Sequence, residues 1–319
     1  MQLVSGVYNI LTTPFLPDGA VDSDSLRRLT EGVVAAGVDG ITVLGVAGEA
    51  QKLSAAERDH VVGSVVGVVG GRIPVFVGAS QEGTDTTIAA SRAAEQAGAA
   101  GVMIAPPTFL QPGSGLTEHL KRIGEAISIP IILQDYPPVN GVTMSPQAMA
   151  ELVRAVPAIT TIKLEGTPTP QRTAQTLALT GDRATVLGGL GGMYLLDELR
   201  RGASGTMTGF AYPEVLVEIW RKWCAGDRPA ATDVYARYLP LLVFEGQPGV
   251  GLAIRKEILR RRGLIDSAMV RHPGPRIDQG ILDDLEETLS LLDVRQRFDA
   301  EQRVGGLAWT DHRPEEVHH

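Results

Sequence analysis

The sequence predicts an α/β fold: a (β/α)8 TIM barrel with a C-terminal helical extension. Three observations carry this. Eight short β-branched runs alternate with helix-length amphipathic stretches. The junctions from helix to strand recur in two forms, as expected of stacked βα units. No G-x-G-x-x-G follows the first run, so the usual mark of an open doubly wound sheet is missing.

The expected strands are Val7–Leu11, Ile41–Leu44, Val75–Gly78, Val102–Ala105, Ile131–Gln134, Ile159–Lys163, Thr185–Leu187 and Gly205–Met207. Parallel strands covered on both faces are apolar throughout rather than alternating. Between them, helix starts are written in capping residues. Ser54 with Glu57 makes a capping box. Ser145 before Pro146 sets an N-cap followed by proline at the first helical position, and Thr169 before Pro170 repeats the device. Helix ends recur in Ala36-Gly37-Val38-Asp39-Gly40, Ala97-Gly98-Ala99-Ala100-Gly101 and Gly202-Ala203-Ser204-Gly205. The first glycine of each takes the left-handed conformation that stops a helix, and the second turns the chain into a strand. Ile73-Pro74-Val75 and Ile129-Pro130-Ile131 form the other junction, with proline where no ladder donor is needed. After Gly209 the pattern is helical over Pro213–Cys224, Pro229–Phe244, Gly249–Arg262 and Gln279–Val294. Residues 1–225 therefore form the barrel, 226–296 a helical extension of the same domain, and 297–319 a tail of mixed composition.

Composition agrees. A chain of 319 residues with 44% apolar content can bury one large core. Its 37 glycines and 5% aromatics suit helices packed closely over a parallel sheet. The net charge of -8 argues against nucleic acid as a partner. The single Cys224 excludes a disulfide framework within the chain and a four-cysteine zinc site. The histidines show no metal-ligand spacing: His60, His119, His272 and His312 are isolated, and His318 and His319 end the chain. Neither a metal nor a cofactor is expected. No apolar run approaches the roughly 20 residues of a membrane span. The N-terminal MQLVSGVYNILTTP has no basic region or signal-like core. A soluble, cytoplasmic protein without a membrane partner is expected.

In such barrels chemistry sits at the C-terminal ends of the strands. There the sequence places Thr12-Thr13, Gly45–Glu49, Ser80, Pro106-Pro107-Thr108, Gln134-Asp135-Tyr136, Lys163-Leu164-Glu165, Gly188-Gly189 and Thr208. Of five lysines, Lys121, Lys222 and Lys256 lie on amphipathic helices and are expected to be solvated, while Lys52 starts a helix. Lys163 alone ends an apolar strand. A buried lysine loses its proton more readily, and a neutral amine attacks carbonyls. A structural ion pair with Glu165 or Glu49 is the competing reading.

From Gly6 to Leu292 these motifs, in order, resemble the dihydrodipicolinate synthase / N-acetylneuraminate lyase family of class I aldolases and dehydratases. Thr12-Thr13-Pro14-Phe15 resembles the end of the family's first strand. Gly45-Val46-Ala47-Gly48-Glu49 with Leu53-Ser54 and Glu57-Arg58 resembles its G-T-T-G-E…L-T/S…E-R signature. Ile162-Lys163 resembles its Schiff-base strand, and Gly188-Gly189 and Gly202–Gly209 its last two strand ends. The resemblance implies that Lys163 forms a Schiff base with a small 2-keto acid. It also implies a homo-oligomer, a tetramer or dimer, contacted through the apolar loop Thr108-Phe109-Leu110.

The departures are informative. The family's two threonines are Val46 and Ala47 here, leaving backbone N–H groups to bind a substrate carboxylate. Its paired tyrosines fall at Pro107 and Thr108, its proton-relaying tyrosine at Gln134, and the synthases' carboxylate-binding arginine at Val139. Gln134 can orient a substrate oxygen but cannot ionise. Tyr136 is placed to replace the missing phenol, unless it packs on Pro137 and Pro138. Glu49 reads as a structural carboxylate. Thr13 and Thr208 are candidate substrate-binding hydroxyls, and Gly189 offers backbone and close approach. The leading expectation is dehydration of a 2-keto-3-deoxy sugar acid rather than dihydrodipicolinate synthesis. Pyruvate-dependent aldol chemistry and a catalytically silent binding barrel are the alternatives. A phosphate cradle at Gly188–Gly192 is weaker, since no basic residue follows until Arg200.

Overall fold

A computed structural model describes residues 3–299 of the chain. Eight parallel strands form one sheet: β1 (Gly6–Ile10), β2 (Gly40–Val43), β3 (Val75–Gly78), β4 (Gly101–Ile104), β5 (Ile131–Asp135), β6 (Ile159–Leu164), β7 (Thr185–Leu187) and β8 (Gly205–Thr208). Their order is β7-β6-β5-β4-β3-β2-β1-β8, and a parallel bridge between Gly188 and Thr206 closes the ring. Gly188 N donates to Gly205 O at 3.0 Å and Met207 N to Gly188 O at 2.9 Å across that seam. The barrel is the predicted one, with strand limits moved by about a residue.

The helices alternate with the strands: α1 (Ser23–Ala35), α2 (Ala55–Val69), α3 (Thr84–Gln96), α4 (Ser114–Ala126), α5 (Pro137–Asn140), α6 (Pro146–Ala155), α7 (Thr169–Thr180), α8 (Leu195–Arg200) and α9 (Pro213–Cys224). The extension adds α10 (Arg228–Glu245), α11 (Gly251–Arg261) and α12 (Gln279–Leu291). A π-helical turn at Arg295–Asp299 follows, and the rest of the segment read as a tail, His312, His318 and His319 included, lies outside the described residues. No helix among the described residues is long and apolar enough to cross a membrane.

The capping box forms: Ser54 N donates to Glu57 Oε2 at 2.8 Å and Glu57 N to Ser54 Oγ at 3.3 Å. Ser145 Oγ accepts from Ala148 N at 3.1 Å ahead of Pro146. The third expected cap does not form. Pro168 occupies the N-cap of α7, and Thr169 is already the first helical residue, so its hydroxyl has no free N–H two or three residues ahead in cap geometry. Gly37, Gly98 and Gly202 stop their helices at φ +76°, +91° and +94°.

Strand alternation sorts the core into two layers. Inside the barrel lie Tyr8, Ile10, Phe76, Met103, Ile132, Leu187 and Met207. A Cβ on Gly40 or Gly101 would collide with Tyr8 or Phe76, so glycine makes room for the two rings, which meet edge to face at 5.6 Å. The opposite strand faces pack against the helices in one continuous apolar layer. The same alternation continues past the strand ends and decides which groups face inward at the rim.

Candidate active site

On β6 the residues Thr161, Lys163 and, just past the strand, Glu165 share one face. Lys163 is 3% exposed and stands level with Gln134 of β5 in the strand register. Its Nζ lies 2.8 Å from Glu165 Oε2. Gln134 Nε2 donates to that same oxygen at 3.0 Å. The other oxygen, Oε1, accepts from Leu190 N at 3.3 Å. A Cβ on Gly189 would overlap the Glu165 carboxyl, so this glycine is the space the carboxylate occupies. The ion pair with Glu165 is present, as the structural reading has it, and a carboxylate at this distance can also accept the proton an ammonium must lose before an amine attacks a carbonyl.

Tyr136 follows β5 on the inward face, with its ring centroid 5.9 Å from Lys163 Nζ. Burial pushes its phenol pKa up, the negative Glu165 adds to the rise, and Arg255 opposes it. The phenol is a proton donor or a hydrogen-bonding group here, not an anion. Asp135, one residue earlier, faces the other way. It is fully buried against Arg172 Nη1 at 2.8 Å, and burial raises its pKa against the pull of that arginine. Asp135, which the sequence places among the residues at the catalytic end of the barrel, therefore does not enter the mouth: only every second residue of a strand faces inward.

The threonines divide in the same way. Thr13 Oγ donates to Gly48 O at 2.7 Å and Thr208 Oγ accepts from Gly191 N at 2.8 Å, so both hydroxyls hold loops. Thr108 is tied to Glu82 through its N–H at 3.0 Å and its hydroxyl at 2.9 Å. Thr12, on the face of Tyr8 and Ile10, keeps a buried hydroxyl without a hydrogen-bond partner among the described residues. Sequence reasoning passed it over in favour of Thr13. The parity of the strand, counted from the interior Tyr8, is the signal that separates them.

The loop after β2 is a 3-10 turn at Val46–Gly48. The N–H groups of Val46 and Ala47 open this turn, where the helix itself supplies no acceptor. Two non-glycine residues in the left-handed region, Leu44 (φ +57°) and Glu49 (φ +55°), bracket it. Glu49 holds the bracket. Its Oε1 accepts from Lys256 Nζ at 2.5 Å, and its Oε2 from Lys52 Nζ at 2.8 Å and Arg271 N at 3.0 Å. Lys256 is not solvated as its helix pattern implied. It is 0% exposed and also donates to Thr13 O and Met269 O, both at 2.8 Å. Burial lowers its pKa to about 8 against the opposing charge of Glu49.

Behind β7 lies another buried acid. Glu198 of α8 fills the space a Cβ on Gly188 would need, and it has no lysine or arginine partner. Burial pushes its pKa to about 7; Thr169 draws it down and Glu165 raises it further. Among the described residues no three His, Cys, Asp or Glu side chains are grouped to hold a metal.

Comparison with known proteins fits this geometry. Residues 3–292 match the dihydrodipicolinate synthetase family. The chain is 31% identical over 277 residues to an L-2-keto-3-deoxyarabonate dehydratase of Azospirillum brasilense, covering 85% of this chain and 89% of that one. It is 34% identical over 300 residues to a 4-hydroxy-tetrahydrodipicolinate synthase of Sorangium cellulosum, covering 92% and 97%. The crystal structure of the dihydrodipicolinate synthase of Rhodopseudomonas palustris superposes with a TM-score of 0.85 at 36% identity, covering 90% of this chain and 97% of that one.

Proposed function

Because this chain belongs to the dihydrodipicolinate synthetase family, a family of Schiff-base lyases, we propose that it dehydrates a 2-keto-3-deoxy sugar acid through a Schiff base on Lys163. The observation that carries this is the Lys163–Glu165 pair at 2.8 Å, with Gln134 rather than a phenol bonded to the same oxygen. One proton carrier serves every step. Glu165 takes the ammonium proton of Lys163, and the free amine adds to C2 of the keto acid. The carboxylic acid then protonates the carbinolamine hydroxyl, which leaves as water and gives the iminium. Glu165, ionised again, removes a proton from C3 to form the enamine. The enamine expels the C4 hydroxyl, which Glu165 protonates as it departs, and hydrolysis returns the amine.

Gln134 holds Glu165 and cannot relay a proton by ionising. Condensation with a semialdehyde needs a proton delivered to a new alkoxide, which a phenol at that position would supply. Elimination needs only the lysine, one base and an acid for the leaving group. The similarity to the Azospirillum dehydratase supports the same choice. In this reading the N–H groups of Val46 and Ala47 seat the C1 carboxylate, Gly189 gives Glu165 its room, and Tyr136 covers the iminium.

The test is direct. Pyruvate with borohydride should leave one reduced pyruvyl group on Lys163 by mass spectrometry, and a panel of five- and six-carbon 2-keto-3-deoxy acids should include one that is dehydrated. An adduct with no dehydration of any member moves the assignment to aldol chemistry. Turnover of pyruvate with aspartate semialdehyde at a kcat/KM of about 10⁴ M⁻¹s⁻¹ or better overturns it. No adduct at all makes the barrel a binding protein.

A further inference from the structure

Arg255 of α11 reaches the barrel rim from the helical extension. Its guanidinium fills the space a Cβ on Gly209 would take. Met207 of β8 is in the barrel interior, so Gly209, two residues on, faces the same way. The arginine side chain is 13% exposed, and its charge is felt at the phenol of Tyr136 across the mouth. It is anchored from one side only. Nε donates to Glu245 Oε1 at 2.5 Å, and Glu245 is itself fixed by Ala211 N at 2.9 Å. The two terminal Nη groups have no acceptor among the described residues. Thr12, whose hydroxyl is orphaned, borders with Arg255 a narrow void of about 10 Å³ between β1 and the helices packed on it, so the two side chains are neighbours.

A planar fork with its outer edge unused, largely withdrawn from water, is built for a carboxylate. It stands two and three strands around the ring from Lys163, at β8 and β1. In this reading C1 of a bound keto acid is already seated on the N–H groups of Val46 and Ala47 after β2, so it is not the group left for the arginine. We infer that Arg255, with Thr12 beside it, binds a second carboxylate at the far end of the substrate, which makes the preferred substrate a dicarboxylic 2-keto acid. This rests on the Schiff-base reading of Lys163. It is separate from the position of Val139, which is exposed after β5 and offers no charge.

The experiment uses two keto acids of equal chain length, 2-oxoglutarate and 2-oxopentanoate, and measures the concentration of each that half-saturates borohydride trapping on Lys163. Dehydration plays no part in this readout. The wild type should need about 30-fold less 2-oxoglutarate, a difference expected of a charged bidentate pair. Arg255→Lys keeps a cation for Glu245 but removes the fork, and should cut that preference to about fivefold or less. Equal trapping of both probes by the wild type overturns the inference without any variant. So does a preference that survives in Arg255→Lys, or an equal loss of affinity for both probes and pyruvate, which would assign the arginine to C1. Absence of a pyruvate adduct in the wild type removes the Schiff-base reading and this subsite with it.

Discussion

Two lysines are buried at the same end of the barrel, each beside a glutamate, and they are wired differently. Lys256 gives all three of its N–H bonds away, to Glu49, Thr13 O and Met269 O. Lys163 has one ion-pair partner, Glu165, and a tyrosine ring nearby. Burial depresses the pKa of Lys256, so a search for perturbed amines would select a lysine whose donors are all engaged. Depression of a pKa by burial makes an amine easier to deprotonate, but an amine with no unoccupied donor direction and no exposure has nowhere to receive a carbonyl. The useful distinction lies in unused hydrogen-bonding capacity and in which face of the barrel the group stands on.

The sharpest break of this comparison is a pair of substitutions. Lys163→Ala should abolish the pyruvate adduct and cut turnover by about 10⁴-fold or more while leaving the fold intact, because an iminium cannot form without the amine. Lys256→Met should keep labelling at Lys163 but lower the unfolding free energy by roughly 3–5 kcal/mol, since Glu49 is left buried with half its cations gone. Mass spectrometry and urea titration on both proteins separate the two roles. A persisting adduct in Lys163→Ala reverses the assignment.

The glutamates extend the test. Glu165→Gln keeps the shape and a hydrogen bond to the lysine, but it removes the proton carrier. Turnover should fall by about 10²–10⁴-fold, with the adduct still trappable at longer times. Unchanged turnover would hand the proton work to Tyr136. Glu198 is the contrasting case of a buried acid with no lysine. Its pKa is raised in the folded chain, so the protonated form is the one the fold prefers. The stabilisation is complete below the ordinary carboxylate range and is lost as pH rises from there through about 7. Between pH 4.5 and 8 the wild type should therefore lose roughly 3 kcal/mol relative to Glu198→Gln. Parallel unfolding curves for the two would mean that Glu198 ionises freely.

Smallest is the effect expected at the loop beyond β4. Phe109 is 67% exposed, and a large apolar side chain so placed is explained most simply by a neighbouring subunit. Sedimentation should show a dimer or tetramer at micromolar concentration, weakened by Phe109→Ser, with less than about a threefold change in turnover at concentrations where the oligomer persists. A monomer in the wild type removes this expectation and leaves the lysine comparison untouched.

Much of this was legible in the sequence. Strand count, helix ends and the buried place of Lys163 at a strand end follow from glycine positions, from β-branched runs and from one cation at the end of an apolar strand. What was not legible has a common cause. Thr12 and Thr13, Gln134 and Asp135, and Leu164 and Glu165 are neighbours whose roles depend on which of each pair points inward, and an apolar run carries no mark of facing. Lys256 and Arg255 escaped for another reason. Their partners lie far away along the chain, and a helix pattern shows which residues are polar without showing that a buried carboxylate waits for them.

The bracketed turn after β2 has a consequence for how this site can change over evolutionary time. Leu44 and Glu49 are held in a backbone conformation that costs each about 1–3 kcal/mol, and the clamp on Glu49 from Lys256, Lys52 and Arg271 keeps them there. The turn between them presents main-chain N–H groups, and those have no letter in the sequence. Positions 46 and 47 are thus free to drift from hydroxyl to hydrocarbon while the proposed seat for the keto acid stays in place. Upkeep of that seat is shared instead with a lysine on α11, far downstream, where a substitution would loosen it without touching a single residue of the turn.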